Sequence, residues 1–139
     1  MAPVGIVVLV VVLVAATGYG LARRRRSGSL RAAPTGSRLT PAELGRPLGE
    51  RATLVQFSSA FCRPCVATRT VLGAAAATVP GVAHVEIDAE SHLELVRRLN
   101  VAATPTTLVL DASGREQRRA GGVPRKHEVL AALAEVVQA

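Results

Sequence analysis

The chain has 139 residues and a formal charge of +7, with 49% hydrophobic side chains but only three aromatic rings, Tyr19, Phe57 and Phe61. Residues 1–51 carry eight arginines against Glu43 and Glu50, whereas residues 52–139 set nine cations against eight acids, so the basic character belongs to the N-terminal third. A nucleic-acid face needs cations clustered on the folded part beside stacking aromatics, and this distribution excludes one.

The first element is an apolar run. Residues 4–22 contain no charged side chain. Nineteen residues at about 1.5 Å each span roughly 28 Å, the thickness of a bilayer's hydrocarbon core. A secretory leader carries its positive charge before the apolar stretch. Here the charge follows it, as Arg23, Arg24, Arg25 and Arg26. The pattern predicts an uncleaved single-pass anchor at the cell membrane, with residues 1–26 as anchor and basic flank. Arginines just after a span hold that side in the cytoplasm, so the rest of the chain is expected there. An outward-facing domain is the alternative orientation.

Residues 27–51 are rich in Ser, Gly, Pro and Arg and predict a linker, flexible over 27–37. Within it, Thr40-Pro41-Ala42-Glu43 has the order of a helix start, with Thr at the cap, Pro at the first position and Glu at the third. Gly45 and Pro47 limit it to a turn.

Residues 52–139 predict one folded domain. Residues 53–57 form a buried strand, 65–77 an alanine-rich helix ending before Pro80, and 82–88 a second strand. Leu93, Val96 and Leu99 recur at helical spacing and predict a helix over 90–99. Residues 106–110 are a third strand, and a turn at Asp111-Ala112-Ser113-Gly114 leads to a fourth over 115–120. Pro124 opens a last helix with Val129, Leu130, Leu133, Val136 and Val137 on its apolar face. The order β-α-β-α-β-β-α describes an α/β domain with helices on both faces of the sheet. Arg118 and Arg119 are expected to form a solvated strand edge. His84, His92 and His127 are scattered and are expected to be solvated or structural.

Cys62 and Cys65 are the only cysteines. One pair is too few for a disulfide framework or a closed zinc site, which leaves redox chemistry as the main reading. The pair falls where a strand ends and a helix begins. A thiolate there meets free backbone N–H groups and the positive end of the helix dipole, which lower its pKa. Cys62 is the expected nucleophile and Cys65, one turn in, the resolving thiol. Arg63 adds a positive charge that favours the thiolate, and Pro64 stiffens the turn.

The strand–Cys62-Arg63-Pro64-Cys65–helix context, the element order after it and Ala103-Thr104-Pro105-Thr106 before the third strand together resemble the thioredoxin family. The resemblance covers residues 52–137. It implies a thioredoxin-like fold behind the membrane helix and a disulfide reductase or exchanger working without metal or organic cofactor. Its partners would be protein or small-molecule disulfides, and the chain would be a monomer. The resemblance also implies a cis bond before Pro105, and a substrate surface at Thr104, Pro105 and Gly121, with Gly122 alongside. Three positions depart from the family pattern: Phe61 stands for the usual Trp, Arg63 for the usual Gly, and Gln56 for the buried acid that relays protons to the resolving cysteine. A lysine often found near that acid corresponds to His84. These departures keep a second reading open, a binding module that offers its Pro105 groove to a partner with weak or no redox turnover.

Overall fold

The computed structural model describes residues 2–33 and 36–139. The apolar run forms a helix, α1 (Ala2–Arg26), whose last turn carries the four arginines on the negative end of the helix dipole. From Pro3 to Arg26 it is long and apolar enough to cross a membrane, and none of it is buried against the rest of the chain.

The sheet has five strands in the order β1-β5-β4-β2-β3. They are β1 (Arg31–Ala32), β2 (Ala52–Ser58), β3 (Val82–Asp88), β4 (Thr106–Asp111) and β5 (Glu116–Gly121). The helix α3 (Arg63–Thr78) crosses over to set β3 parallel to β2, while β4 runs antiparallel to both β2 and β5. Every residue of β2 is buried, as a central strand covered on both faces requires. Its side chains alternate between two cores. Val55 and Phe57 join Leu108 and Leu110 of β4, together with Leu95 and Leu99 at the short helix α4 (Leu93–Arg98). Leu54 and Val109 point the other way, onto Leu72 of α3 and Val129 and Leu133 of α5 (Lys126–Gln138). The helix expected over 90–99 is divided: Ala89–Ser91 is a 3₁₀ turn under an Asp88 cap, and α4 follows it.

The predicted turn is α2 (Pro41–Leu44). Thr40 and Glu43 form a reciprocal capping box, and Gly45 ends the turn in a left-handed conformation. Leu39 and Leu44 flank the box and are both buried in the first core, pinning the chain's path at this point. Arg98 of α4 also pairs with Glu43.

The stretch expected to be a tether is engaged with the sheet. Arg31 and Ala32 pair with Arg119 and Arg118 as an antiparallel edge strand. On one side of them Gly28 N–H donates to Gly121 O at 2.5 Å, and on the other Ala33 N–H donates to Gln117 O and Glu116 N–H to Ser37 O. Arg38 bridges Arg115, and Leu39 N–H donates to Gly114 O. Pro34 and Thr35, which also fell in the expected tether, lie outside the described residues. Backbone groups make this pairing, so polar residues without alternation can take part in it.

The solvated edge expected at Arg118 and Arg119 is corrected. The strand β5 lies inside the sheet, between β1 and β4. Arg119 forms a two-bonded ion pair with the fully buried Glu116 carboxylate, at 2.6 and 2.9 Å, and donates to Leu99 O at 2.7 Å. Arg118, on the opposite face, reaches Glu135 of α5 at 2.5 Å.

Candidate active site

The C-terminal end of β2 opens into Ser59, Ala60 and Phe61, and the chain then enters α3 with Cys62 as its N-cap. Phe61 has a φ of 58°, a left-handed conformation seldom adopted by a bulky residue. Its ring is fully exposed. Cys62 is half-buried and its Sγ accepts the Cys65 backbone N–H at 3.2 Å, so the sulfur sits among the free N–H groups of the helix start. Pro64 occupies the first turn, where a missing N–H removes no helix bond. Cys65 is buried, and the two cysteines are joined as a disulfide with Cα atoms 5.2 Å apart. Exposure thus falls from the half-buried Cys62 to the buried Cys65. Phe61, Arg63 and Val66 border the pair as an exposed rim, and among the described residues Arg63 has no ion-pair partner.

Gln56 is fully buried beneath Cys65. Its side-chain nitrogen donates to Cys65 O at 2.8 Å and to Ser58 Oγ at 2.9 Å, and its oxygen faces His84 Nε2 at 3.2 Å. The Cys65 carbonyl can only accept, so the amide's orientation is fixed. The facing imidazole nitrogen must then carry a hydrogen. Of the two roles expected for it, His84 takes the structural one: it is half-buried and bonded to Gln56. Burial lowers its pKa; the Glu86 charge opposes that shift and the Arg69 charge adds to it. Glu86 of β3 takes two hydrogen bonds from Arg69 of α3, at 2.5 and 2.6 Å, and the Arg69 bond holds its carboxyl below the usual range. His92 is bonded through Nδ1 to Asp88 O, a structural role.

The Thr104–Pro105 peptide bond is cis, as the resemblance implies. Pro105 is buried, and its carbonyl accepts from Gly122 N–H at 2.9 Å. Thr104 Oγ1 and Ser59 Oγ are hydrogen-bonded at 2.7 Å, which links the proline loop to the cysteine loop. Gly121 lies opposite Thr106 in the sheet, so the Thr104–Pro105 loop, Gly121 and both cysteines share one end of the fold. Sequence reasoning missed Ser59; its only signal was its place in the loop before Phe61. It also missed that the Gly121 carbonyl is already engaged by Gly28.

Comparisons with known proteins agree with this geometry. The sequence model of the thioredoxin family matches residues 41–135. No curated protein matches the chain in sequence. Among solved structures, chloroplastic thioredoxin z superposes with a TM-score of 0.59 at 19% identity, over 71% of this chain and 87% of that one. The thioredoxin NaTrxh of Nicotiana alata gives 0.56 at 27% identity, over 63% and 75%. The thioredoxin of Fasciola hepatica gives 0.55 at 23%, over 63% and 83%.

Proposed function

Because this chain belongs to the thioredoxin family, and its Cys62–Cys65 pair marks it generally as a thiol–disulfide oxidoreductase, we propose that it is a membrane-tethered reductase or exchanger of protein or small-molecule disulfides. The observation that carries this reading is the placement of Cys62 Sγ at the N-terminus of α3, accepting the Cys65 N–H, with Cys65 buried behind it.

In the reductive direction the Cys62 thiolate attacks one sulfur of the substrate disulfide. A Cys62–substrate disulfide forms and the other substrate sulfur leaves as a thiolate. The Cys65 thiol, after losing its proton, attacks Cys62 Sγ. The intramolecular disulfide closes and the second substrate sulfur is released. Two electrons pass from the dithiol to the substrate, whose two thiolates take up protons. The cycle restarts when a partner dithiol reduces the Cys62–Cys65 bond. The lack of an acid at Gln56 means that no carboxylate takes the Cys65 proton there. Gln56 instead holds the Cys65 carbonyl, and His84 stands one residue further out. Thr104, Pro105 and Gly121 are the proposed substrate surface, with Phe61 and Arg63 on the rim.

The uncharged span of α1 and its arginine flank support the tether, and the arginines favour a cytoplasmic domain. Reduction of an insulin-type disulfide by the full chain in detergent tests the chemistry. Cys62-dependent turnover is expected, with Cys62→Ser lowering it to background. A folded wild type that neither turns over nor closes its disulfide would favour the binding-module reading. A membrane-impermeant thiol reagent applied to intact cells tests the orientation: labelling of Cys62 before lysis would place the domain outside.

A further inference from the structure

The joint between the apolar helix and the domain has no slack. Ser27 N–H still donates to Arg23 O, so Ser27 continues the helix. The next residue, Gly28, is buried and already donates to Gly121 O of β5. Both sides of this contact require glycine. A Cβ on Gly28, whose φ is +81°, would lie 2.0 Å from Val123 O, and one on Gly122, at +86°, would lie 2.3 Å from Ser27 Oγ. Past Gly28 the chain stays paired to β5 at Arg31 and Ala32. Tyr19, Arg23 and Arg26 on the helix face Arg31, Arg119 and Gly121 across one cleft.

The contact sits at the active-site end of the sheet. Gly122, which packs on Ser27, donates its N–H to Pro105 O. The last arginine of the helix is therefore linked to the cis proline by two residues of chain to Gly28, at most about 7 Å, the hydrogen bond to Gly121, one step along β5 to Gly122, and the hydrogen bond to Pro105. The arginine cluster marks the head-group level of any bilayer that α1 spans.

We infer that the anchor docks on the wall of the substrate groove and holds the cysteine pair at the membrane surface, so that the substrates are disulfides of membrane proteins lying at head-group level. This rests on the tethered-oxidoreductase reading above and names the substrate class of that same site. The chemistry is the exchange already written, with the protein's own dithiol supplying both electrons.

The test uses the reduced full chain in vesicles under single-turnover conditions. Three disulfide probes are compared: one on a lipid-anchored peptide with a short spacer, one on the same peptide with a long spacer, and one free in solution. A variant carries about twenty Gly-Ser residues inserted between Arg26 and Ser27, a reach of roughly 25 Å. The native chain should reduce the short-spacer probe about tenfold faster than the long-spacer one. The insertion should erase that preference while leaving the free probe's rate unchanged. Equal native rates on the two anchored probes, or a preference that survives the insertion, would overturn the inference and leave the oxidoreductase reading standing. Failure to reduce any of the three probes would remove both.

Discussion

His84 shows how a single half-buried group couples pH to stability. Its ring is partly buried, bonded to Gln56 and flanked by the Arg69–Glu86 pair. Its folded pKa is lowered by that burial. The unfolded chain therefore takes up the proton first as pH falls, at about 6.5. Stability is fully present above that value, declines as pH drops from about 6.5 toward the folded pKa, and levels off below it. Glu86 acts in a separate window: its carboxyl is lowered, so its contribution is lost only in the carboxylate range. Urea midpoints of the oxidised full chain in detergent between pH 8 and 5 should fall for the wild type and fall less for His84→Gln. Equal slopes would refute the assignment. At this scale the sequence was informative wherever chemistry constrains residue type and spacing together. Cys62, Cys65 and Pro105 stood out for that reason. The Gln56–His84 contact and the Ser59–Thr104 bond join residues 28 and 45 positions apart, and no local pattern marks such pairs.

Among the elements, β2 and β4 were legible because burial on both faces favours closely spaced apolar and β-branched side chains, Leu54, Val55 and Phe57 in one and Leu108, Val109 and Leu110 in the other. The strand β5 misled, because Glu-Gln-Arg-Arg looks like an outer edge. Those charges are instead satisfied within the fold: Arg119 lies over the Glu116 carboxylate and the end of α4, and Arg118 reaches α5. Removing one partner of such a buried pair leaves the other charge uncompensated. Arg119→Met should cost about 3 kcal/mol, read as a lower urea midpoint with unchanged slope. Arg118→Met, whose Glu135 partner is exposed, should cost less than about 1 kcal/mol. Comparable losses from the two variants would show that the Glu116 site is not the stronger constraint. The two-residue β1 left no trace in the sequence because backbone groups alone make its ladder.

At the scale of the whole molecule, the chain is a thioredoxin-fold domain preceded by an apolar helix, and the segment directly after that helix is woven into the domain's sheet. Composition separated the basic, apolar N-terminal third from the nearly neutral remainder, and that division holds for charge. It does not hold for packing, since pairing to β5 begins at Gly28, far ahead of the first buried strand. This has a practical consequence for anyone trimming the protein into a soluble piece. A fragment that starts at residue 38 loses β1 and bares one full side of β5, a row of unpaired donors and acceptors open to the same strand of another molecule. Such a fragment should self-associate as its concentration rises, whereas one that starts at residue 27 keeps its own cover. Light scattering on the two fragments would show the difference, and equal, concentration-independent masses would mean that the N-terminal segment is dispensable to the sheet.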